Sequence, residues 1–324
     1  MTGDNLREHV DSIISNKAST LHLYLILKDD NEYCLRLADI GDTSAMEDLS
    51  RMFIKNLYET IVENPEVEIR SLSADDEVEG AIYRYDFEEY PNELKHFETF
   101  NINDAIRTAK FDFSEDDINK LFGFIVYIGT MDKGLSLFKK HYPIALIKRD
   151  SFLLGAVKSR QRFEKISGTD IIRMNNEWQL ISIEGEIFVR DLSVLERNLG
   201  FRELIKKSAN SAIELIKALD IVSNIGDLSA EIANMSFARK LSIIQKSSVV
   251  LNKKIPGIRL VQFSQETPGL ERQFKYDEKN TKFVLSTKAE KMAFLRLLND
   301  DFLQSQLTEE YYAANSKDRL KREE

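Results

Sequence analysis

The longest apolar run in the chain is Leu121–Gly129 (LFGFIVYIG), which has nine residues. A helix needs about 20 apolar residues to cross a bilayer, whereas a strand buried in a sheet needs about five to ten. The run therefore predicts a buried strand, and the chain is expected to be cytoplasmic. The polar N-terminus, Met1–Val10, lacks the apolar core of a signal peptide, which agrees with this expectation. Any association with a membrane would come through a partner protein.

Strand-like and helical patterns alternate in the first half of the chain. Runs of apolar, aromatic and β-branched residues predict strands, and the first two strands form a hairpin around a polar turn at residues 28–31. The predicted strands are Thr20–Leu27, Glu32–Ala38, Ala81–Phe87, Leu121–Thr130 and Tyr142–Lys148. Apolar residues at helical spacing predict helices at Thr2–Asn16, Thr43–Val62, Glu93–Ala109 and around Lys133–Lys140.

The second half begins with a hairpin and continues mainly with helices. Gln179–Ile183 and Glu186–Val189 flank Glu184-Gly185, which is typical of a tight β-turn. Further elements are helices over most of Asp191–Lys254 and at Lys288–Leu298, and strands at Ile258–Phe263 and Lys282–Leu285. Mixed strands and helices, followed by a hairpin and a mainly helical region, predict an α+β fold rather than a doubly wound parallel sheet.

The net charge of -9 conceals two regions of opposite charge. Residues 1–130 contain 12 basic and 28 acidic residues, a net charge of -16, and residues 131–324 contain 33 basic and 26 acidic residues, a net charge of +7. This asymmetry predicts an acidic α+β domain at 1–130 and a basic α+β domain with a helical C-terminal part at 131–324. Their boundary is expected between residues 131 and 170. An acidic surface repels nucleic acid, whereas a basic surface attracts it.

The sequence carries none of the common catalytic or cofactor-binding signatures. It has no glycine-rich dinucleotide or phosphate motif and no serine-nucleophile motif, and its four histidines are scattered singly. The single cysteine, Cys34, cannot form an internal disulfide and is expected to be a small buried residue. We therefore predict no catalytic residue, no metal ligand and no cofactor.

One alternative is a metal-dependent nuclease that uses Asp86, Glu93 and Lys95. An acid-x-Lys pattern holds a divalent metal and orients a water when its carboxylates lie at one end of neighbouring strands. Here Pro91 interrupts the segment, and Glu93 is expected to begin a helix, so the pattern favours a structural role.

Two basic segments in the second half favour contacts with phosphate groups. Residues 133–165 contain nine basic and two acidic residues, and no acidic residue occurs between Phe237 and Phe263. Lys/Arg clusters bind a phosphate backbone through charge and counterion release, without reading sequence. The candidate DNA-binding residues are Lys139, Lys140, Lys148, Arg149, Lys158, Arg160, Arg162, Lys165, Arg239, Lys240, Lys253 and Lys254. The alternative is that these residues form solvated faces or pair with the acidic half, since no recognised DNA- or RNA-binding motif is present.

Three segments of the C-terminal two-thirds carry a family resemblance. They are Trp178–Val189 (WQLISIEGEIFV), Leu195–Phe201 (LERNLGF) and Phe294–Tyr312 (FLRLLNDDFLQSQLTEEYY). Together they resemble the KwaB-like proteins, a bacterial family long catalogued as a domain of unknown function and belonging to the two-gene Kiwa anti-phage defence system. The resemblance covers about residues 120–320 and rests on hydrophobic patterns with a distinctive tail rather than on catalytic signatures.

The resemblance implies a non-catalytic defence effector. Its relatives are cytoplasmic partners of KwaA, a small multi-span membrane protein that recruits them to the inner membrane, and they are thought to bind phage DNA. It thus implies duplex DNA, bound without sequence preference, and KwaA as partners. A homo-oligomer is also expected. The competing hypotheses are a metal-dependent nuclease and a structural adaptor that binds no nucleic acid.

The acidic half is a candidate surface for protein contacts. Membrane proteins present Lys and Arg on their cytoplasmic loops, and an acidic surface meets such loops with complementary charge. The candidate partner-binding residues crowd one polar stretch and are Asp75, Asp76, Glu77 and Glu79. A solubilising loop is the alternative for this stretch.

Overall fold

A computed structural model of the chain describes residues 2–73, 77–147, 153–157, 162–166, 171–304 and 311–313. It confirms the predicted α+β class. The strands are β1 (Thr20–Asp29), β2 (Glu32–Leu37), β3 (Ile69–Ser71), β4 (Ile82–Arg84), β5 (Leu121–Gly129), β6 (Gly134–Lys140), β7 (Leu146–Ile147), β8 (Leu153–Val157), β9 (Arg162–Ile166), β10 (Ile171–Ile172), β11 (Leu180–Ile183), β12 (Glu186–Val189), β13 (Lys275–Tyr276), β14 (Phe283–Val284), β15 (Phe302–Gln304) and β16 (Tyr311–Ala313).

Most α-helices lie in the second half. They are α1 (Gly3–Ile14), α2 (Thr43–Leu57), α3 (Lys95–Glu98), α4 (Ile102–Ala105), α5 (Leu192–Asn198), α6 (Phe201–Ala218), α7 (Ile225–Ala230), α8 (Met235–Ser247), α9 (Val249–Asn252), α10 (Gly257–Glu266) and α11 (Lys288–Leu298). A π-helical turn, Tyr58–Val62, continues α2. Among the described residues, no helix is long and apolar enough to span a membrane.

The chain divides into two compact units. The first contains residues 1–70, 78–85 and 89–199, and the second contains residues 71–77, 86–88 and 200–324. The change of charge at residue 130 falls within the β5–β6 hairpin of the first unit. By sequence the first unit has 24 basic and 32 acidic residues, which give a net charge of -8. The second unit has 21 basic and 22 acidic residues, which give a net charge of -1. The charge of either unit as a whole therefore does not favour a polyanion, so any such site must be local.

The first unit is built on an eight-stranded sheet of order β2-β1-β5-β6-β11-β12-β4-β3. Its central strands pair antiparallel, with β1 on β5, β5 on β6, β6 on β11 and β11 on β12. One face carries alternate apolar residues such as Leu23, Val126 and Leu137, which pack with α1 and α2 in one core. The Trp178 indole donates a buried hydrogen bond of 2.9 Å to the Asn56 side chain, which satisfies both polar groups within that core.

The opposite face of the sheet is covered by the helices α3 and α4 and by neighbouring residues. Tyr24 of β1 and Phe138 of β6 are fully buried, and their rings contact Phe100 and Phe97 edge-on at centroid distances of 5.2 and 5.7 Å. Burial on both faces explains why β5 reads as a continuous apolar run rather than an alternating one.

The second unit is a helical assembly with a small hairpin. Buried residues of α6, among them Phe201, Ile205 and Ile213, recur at helical spacing and form its inner face. The β13–β14 hairpin contributes Phe283, whose ring contacts Phe294 of α11 at 5.3 Å. Thr287 and Glu290 form a reciprocal capping box that fixes the start of α11.

Two predicted elements have the wrong type. Residues 133–140, predicted as a helix, form the central strand β6, because strands on both sides satisfy its backbone groups. Residues 258–263, predicted as a strand, form most of α10, which buries only Leu260, Val261 and Ser264. Of the predicted strand at 142–148, only Leu146–Ile147 is a described strand, and Ile144 is almost fully exposed.

Candidate nucleic-acid interface

The predicted DNA-binding residues do not form one described cluster. Lys139 and Lys140 lie on β6 in the first unit, whereas Arg239, Lys240, Lys253 and Lys254 lie in the second. Arg162 and Lys165 belong to β9, but their side chains lie outside the described part of the structure. Lys148, Arg149, Lys158 and Arg160 lie outside the described residues altogether.

Lys139 is buried within the first unit. Its ammonium donates a hydrogen bond of 2.9 Å to the Glu177 carbonyl and another to the Asn175 side chain. Burial lowers the pKa of this lysine, although the nearby Glu177 carboxylate opposes the effect. The two hydrogen bonds of the Lys139 ammonium therefore join β6 to residues 175–177.

Lys140 projects from the other face of the sheet, as alternation along a strand requires. Its ammonium donates to the Phe122 carbonyl at 2.9 Å and lies 3.5 Å from the centroid of the Phe122 ring. Burial and the neighbouring Lys28 lower the pKa of Lys140 to about 8. Phe122 thus holds a partly desolvated cation through its carbonyl and its ring face.

Two cations of α8, Arg239 and Lys240, are also largely withdrawn from solvent. Arg239 is 2% exposed, and Lys240 is half-buried. Both residues have interactions within the structure. The side chain of Arg239 is therefore not offered to solvent.

Lys253 and Lys254 differ, because both are exposed on the turn that joins α9 to α10. Lys254 adopts the left-handed conformation with φ 52°, and the Ile255 amide donates to the Val250 carbonyl at 3.1 Å, which together end α9. The backbone before the turn is anchored as well, since the Ser248 hydroxyl caps α9 and donates to the Leu298 carbonyl at 2.5 Å. Two lysines are thus presented to solvent from a fixed turn.

Arg259 extends this surface onto the first turn of α10 and is exposed. Within the described part of the chain, none of Lys253, Lys254 and Arg259 forms an ion pair. We call these three residues the basic turn. Phe263, one helical turn after Arg259, leaves 41% of its surface exposed, and Ile258 leaves 48%. The sequence signal for Arg259 was the acid-free stretch between Phe237 and Phe263, whereas Phe263 was missed because this segment reads as a strand.

The residues of the nuclease alternative have separate roles. The Asp86 carboxylate accepts hydrogen bonds from the Ser73 amide at 3.0 Å, the Ser73 hydroxyl at 2.6 Å and the Ser71 hydroxyl. Glu93 and Lys95 belong to a short 3-10 turn and to α3 of the first unit. The described residues contain no group of three or more His, Cys, Asp or Glu side chains that could hold a metal ion.

The predicted partner-binding stretch is only partly described. Glu77 and Glu79 are exposed, and Asp75 and Asp76 lie outside the described residues. Glu77 belongs to the second unit and Glu79 to the first.

The described residues thus define an α+β protein that presents exposed cations on an anchored turn. The chain belongs to the family described as Kiwa protein KwaB-like, whose model matches residues 118–308. It is also 27% identical over 326 residues to Kiwa protein KwaB of Escherichia coli O55:H7 (strain RM12579 / EPEC), a match that covers 99% of each chain. The resemblance read from the sequence is thereby confirmed. No solved structure matches the chain.

Proposed function

We propose that this protein is an anti-phage defence effector that binds duplex DNA through the basic turn and acts with a membrane partner. Family membership supports the defence role, since the relative from E. coli carries the name Kiwa protein KwaB. The partner implied by the family resemblance is KwaA, which would recruit the protein to the inner membrane. The acidic stretch at residues 75–79 remains the proposed contact with that partner.

The observation that carries the DNA-binding proposal is the exposure of the basic turn. Lys253, Lys254 and Arg259 are exposed and form no ion pair with another described residue, so their charge is available to an anion. Phosphate backbones attract such cations by releasing condensed counterions, and no base-reading motif is required. Lys139 and Arg239 are buried, so the exposed members of the predicted set support the proposal most directly.

The proposal is tested by measuring the affinity of the full chain for a labelled duplex over a range of salt concentrations. Replacing Lys253, Lys254 and Arg259 by Glu should weaken binding at least tenfold, which is about 1.4 kcal/mol, and reduce the slope of log K against log salt by about 2 to 3. A matched control makes the same change of charge at three exposed cations of the first unit, Lys17, Lys55 and Arg107.

The control distinguishes a local site from a general charge effect. If the control variant loses as much affinity as the triple variant, binding follows net charge and the basic turn is not the site. Repeating the wild-type measurement with magnesium tests the enzymatic alternative, because cleavage of the duplex would favour a nuclease over a non-catalytic effector.

A further inference from the structure

A groove of about 310 Å³ lies in the first unit on the sheet face that α3 and α4 cover. Its walls come from the β5–β6 turn, the β11–β12 turn and residues 98–103. The groove is near the lower limit of volumes at which proteins bind small ligands. It therefore suits one group of side-chain size rather than an extended polymer.

Unsatisfied hydroxyl groups lie in and beside this groove. Ser136 of β6 and Ser182 of β11 are direct cross-strand neighbours, and both line it. Ser136 is only 6% exposed, and within the described part of the chain its hydroxyl makes no hydrogen bond to another residue. The fully buried Tyr24, whose ring contacts the groove residue Phe100, also has a hydroxyl without a partner. A hydroxyl that lines a groove without a protein partner can accept a hydrogen bond from a ligand.

The charged residues that line the groove are all acidic. Glu98, Asp132 and Glu184 line it, and no Lys, Arg or His does. Glu98 and Asp132 form no ion pair within the described residues. The Oε1 atom of Glu184 lies 3.5 Å from the Nδ1 atom of His9. Burial and Glu98 raise the pKa of Tyr90, and burial and Asp132 raise the pKa of Tyr127. The groove thus attracts cations and repels phosphate.

Three aromatic rings complete the walls, from Tyr90, Phe100 and Tyr127. The Tyr127 ring lies directly over Gly134, where a Cβ atom would stand 2.2 Å from the tyrosine oxygen. Its hydroxyl donates to the Thr130 carbonyl within the β5–β6 turn. The glycine and this hydrogen bond together fix the orientation of the Tyr127 ring.

From these features we infer that the groove binds a guanidinium group. A guanidinium stacks on aromatic rings, pairs with carboxylates and donates several hydrogen bonds in one plane, whereas an ammonium offers a point charge. The groove brings together the three kinds of group that a guanidinium uses: carboxylates to pair with, aromatic rings to stack on and hydroxyls that accept its hydrogen bonds. The group has two possible sources, an arginine side chain of another protein or a free small guanidine. The inference does not depend on DNA binding.

Isothermal titration of the full chain with three probes tests this assignment. The probes are N-acetyl-arginine methylamide, which represents an arginine within a protein, propylguanidine, which represents a free guanidine, and N-acetyl-citrulline methylamide, which is neutral and of similar shape to the first. We expect saturable binding of at least one guanidinium probe with a Kd below about 1 mM. The tighter of the two identifies the source. No saturable binding of either, or equal binding of the citrulline probe, would overturn the inference.

Two sets of variants locate the binding. The double variant Glu98→Gln and Asp132→Asn should weaken it about tenfold, whereas the matched change Glu47→Gln and Asp30→Asn, at exposed carboxylates outside the groove, should not. Ser136→Ala should also weaken binding without lowering the melting temperature of the free protein, because the hydroxyl has no partner to lose. Unchanged affinity in both groove variants would show that the guanidinium binds elsewhere.

Discussion

The pairs Lys139-Lys140 and Lys253-Lys254 are identical in sequence, but they differ in secondary structure and in exposure to solvent. The first pair lies on a central strand, which sends one side chain to each face of a sheet and withdraws both from solvent. The second pair lies on a turn between two helices and is exposed. A basic dipeptide therefore indicates an anion-binding surface only when the surrounding backbone leaves both side chains in solvent. The following predictions test that contrast, from the largest expected effect to the smallest.

The first prediction concerns the cost of burying Lys140. Its pKa is about 8 in the folded protein, against an ordinary value of 10.5 for a lysine, so the folded state releases the proton first as the pH rises. The free energy of unfolding should therefore increase between these two pH values. Lys140→Met removes this contribution. The stability of the variant relative to the wild type should therefore fall by roughly 2 kcal/mol from pH 7.5 to 10.5, after allowance for screening by solvent. Denaturant titrations across this range that stay parallel would contradict the prediction.

The second prediction compares how one lysine of each pair, Lys139 or Lys253, contributes to the free energy of unfolding. Lys139→Ala removes a buried donor to Asn175 and Glu177 and should lower the free energy of unfolding by about 2 kcal/mol. Lys253→Ala removes an exposed side chain and should change it by less than about 0.5 kcal/mol. Urea denaturation of both variants measures the difference. Equal losses would show that the turn also depends on its lysine for stability.

The third prediction adds a third basic segment to the comparison. Lys158 and Arg160 lie outside the described residues, and Arg162 begins β9. If this segment binds phosphate with the basic turn, replacing the three by Glu should weaken duplex binding several-fold and flatten its salt dependence. Unchanged affinity and slope in a salt titration would show that Lys158, Arg160 and Arg162 take no part in DNA binding.

The fourth prediction concerns the acidic stretch. Replacing Asp75, Asp76, Glu77 and Glu79 by Lys should reduce co-purification with KwaA by about threefold, because the complementary charge is lost at an exposed contact. DNA affinity should stay unchanged or rise slightly. Loss of DNA binding with normal recovery of the partner would show that the two surfaces have been assigned in reverse.

Much of the fold could be predicted from local sequence pattern. The strands β1, β2 and β5, the β11–β12 hairpin and the helix α11 follow from apolar periodicity and turn chemistry that agree with their surroundings. The tight turn predicted at Glu184-Gly185 is present, with positive φ at both residues. These elements are confirmed because local preference and tertiary packing favour the same structure.

The missed features depend on contacts that no local pattern contains. Strand β6 exists because β5 and β11 flank it, and the withdrawal of Lys139 follows from that position. Likewise, the groove joins Glu98, Asp132 and Glu184 from three separate segments. Sequence reasoning identified the basic stretch around Lys253 but had no means to separate its exposed members from the buried Arg239.

The buried hydrogen bond between Trp178 and Asn56 has a spectroscopic consequence. Trp178 is the single tryptophan of the chain, is 2% exposed and belongs to the core of the first unit. Indole emission excited at the red edge therefore comes from one place and reports the integrity of the sheet alone. Far-ultraviolet circular dichroism, in contrast, sums the helices of both units, with the larger share from α6 to α11 of the second unit. Following both signals during denaturation reveals whether the two units lose their structure in one step or in two.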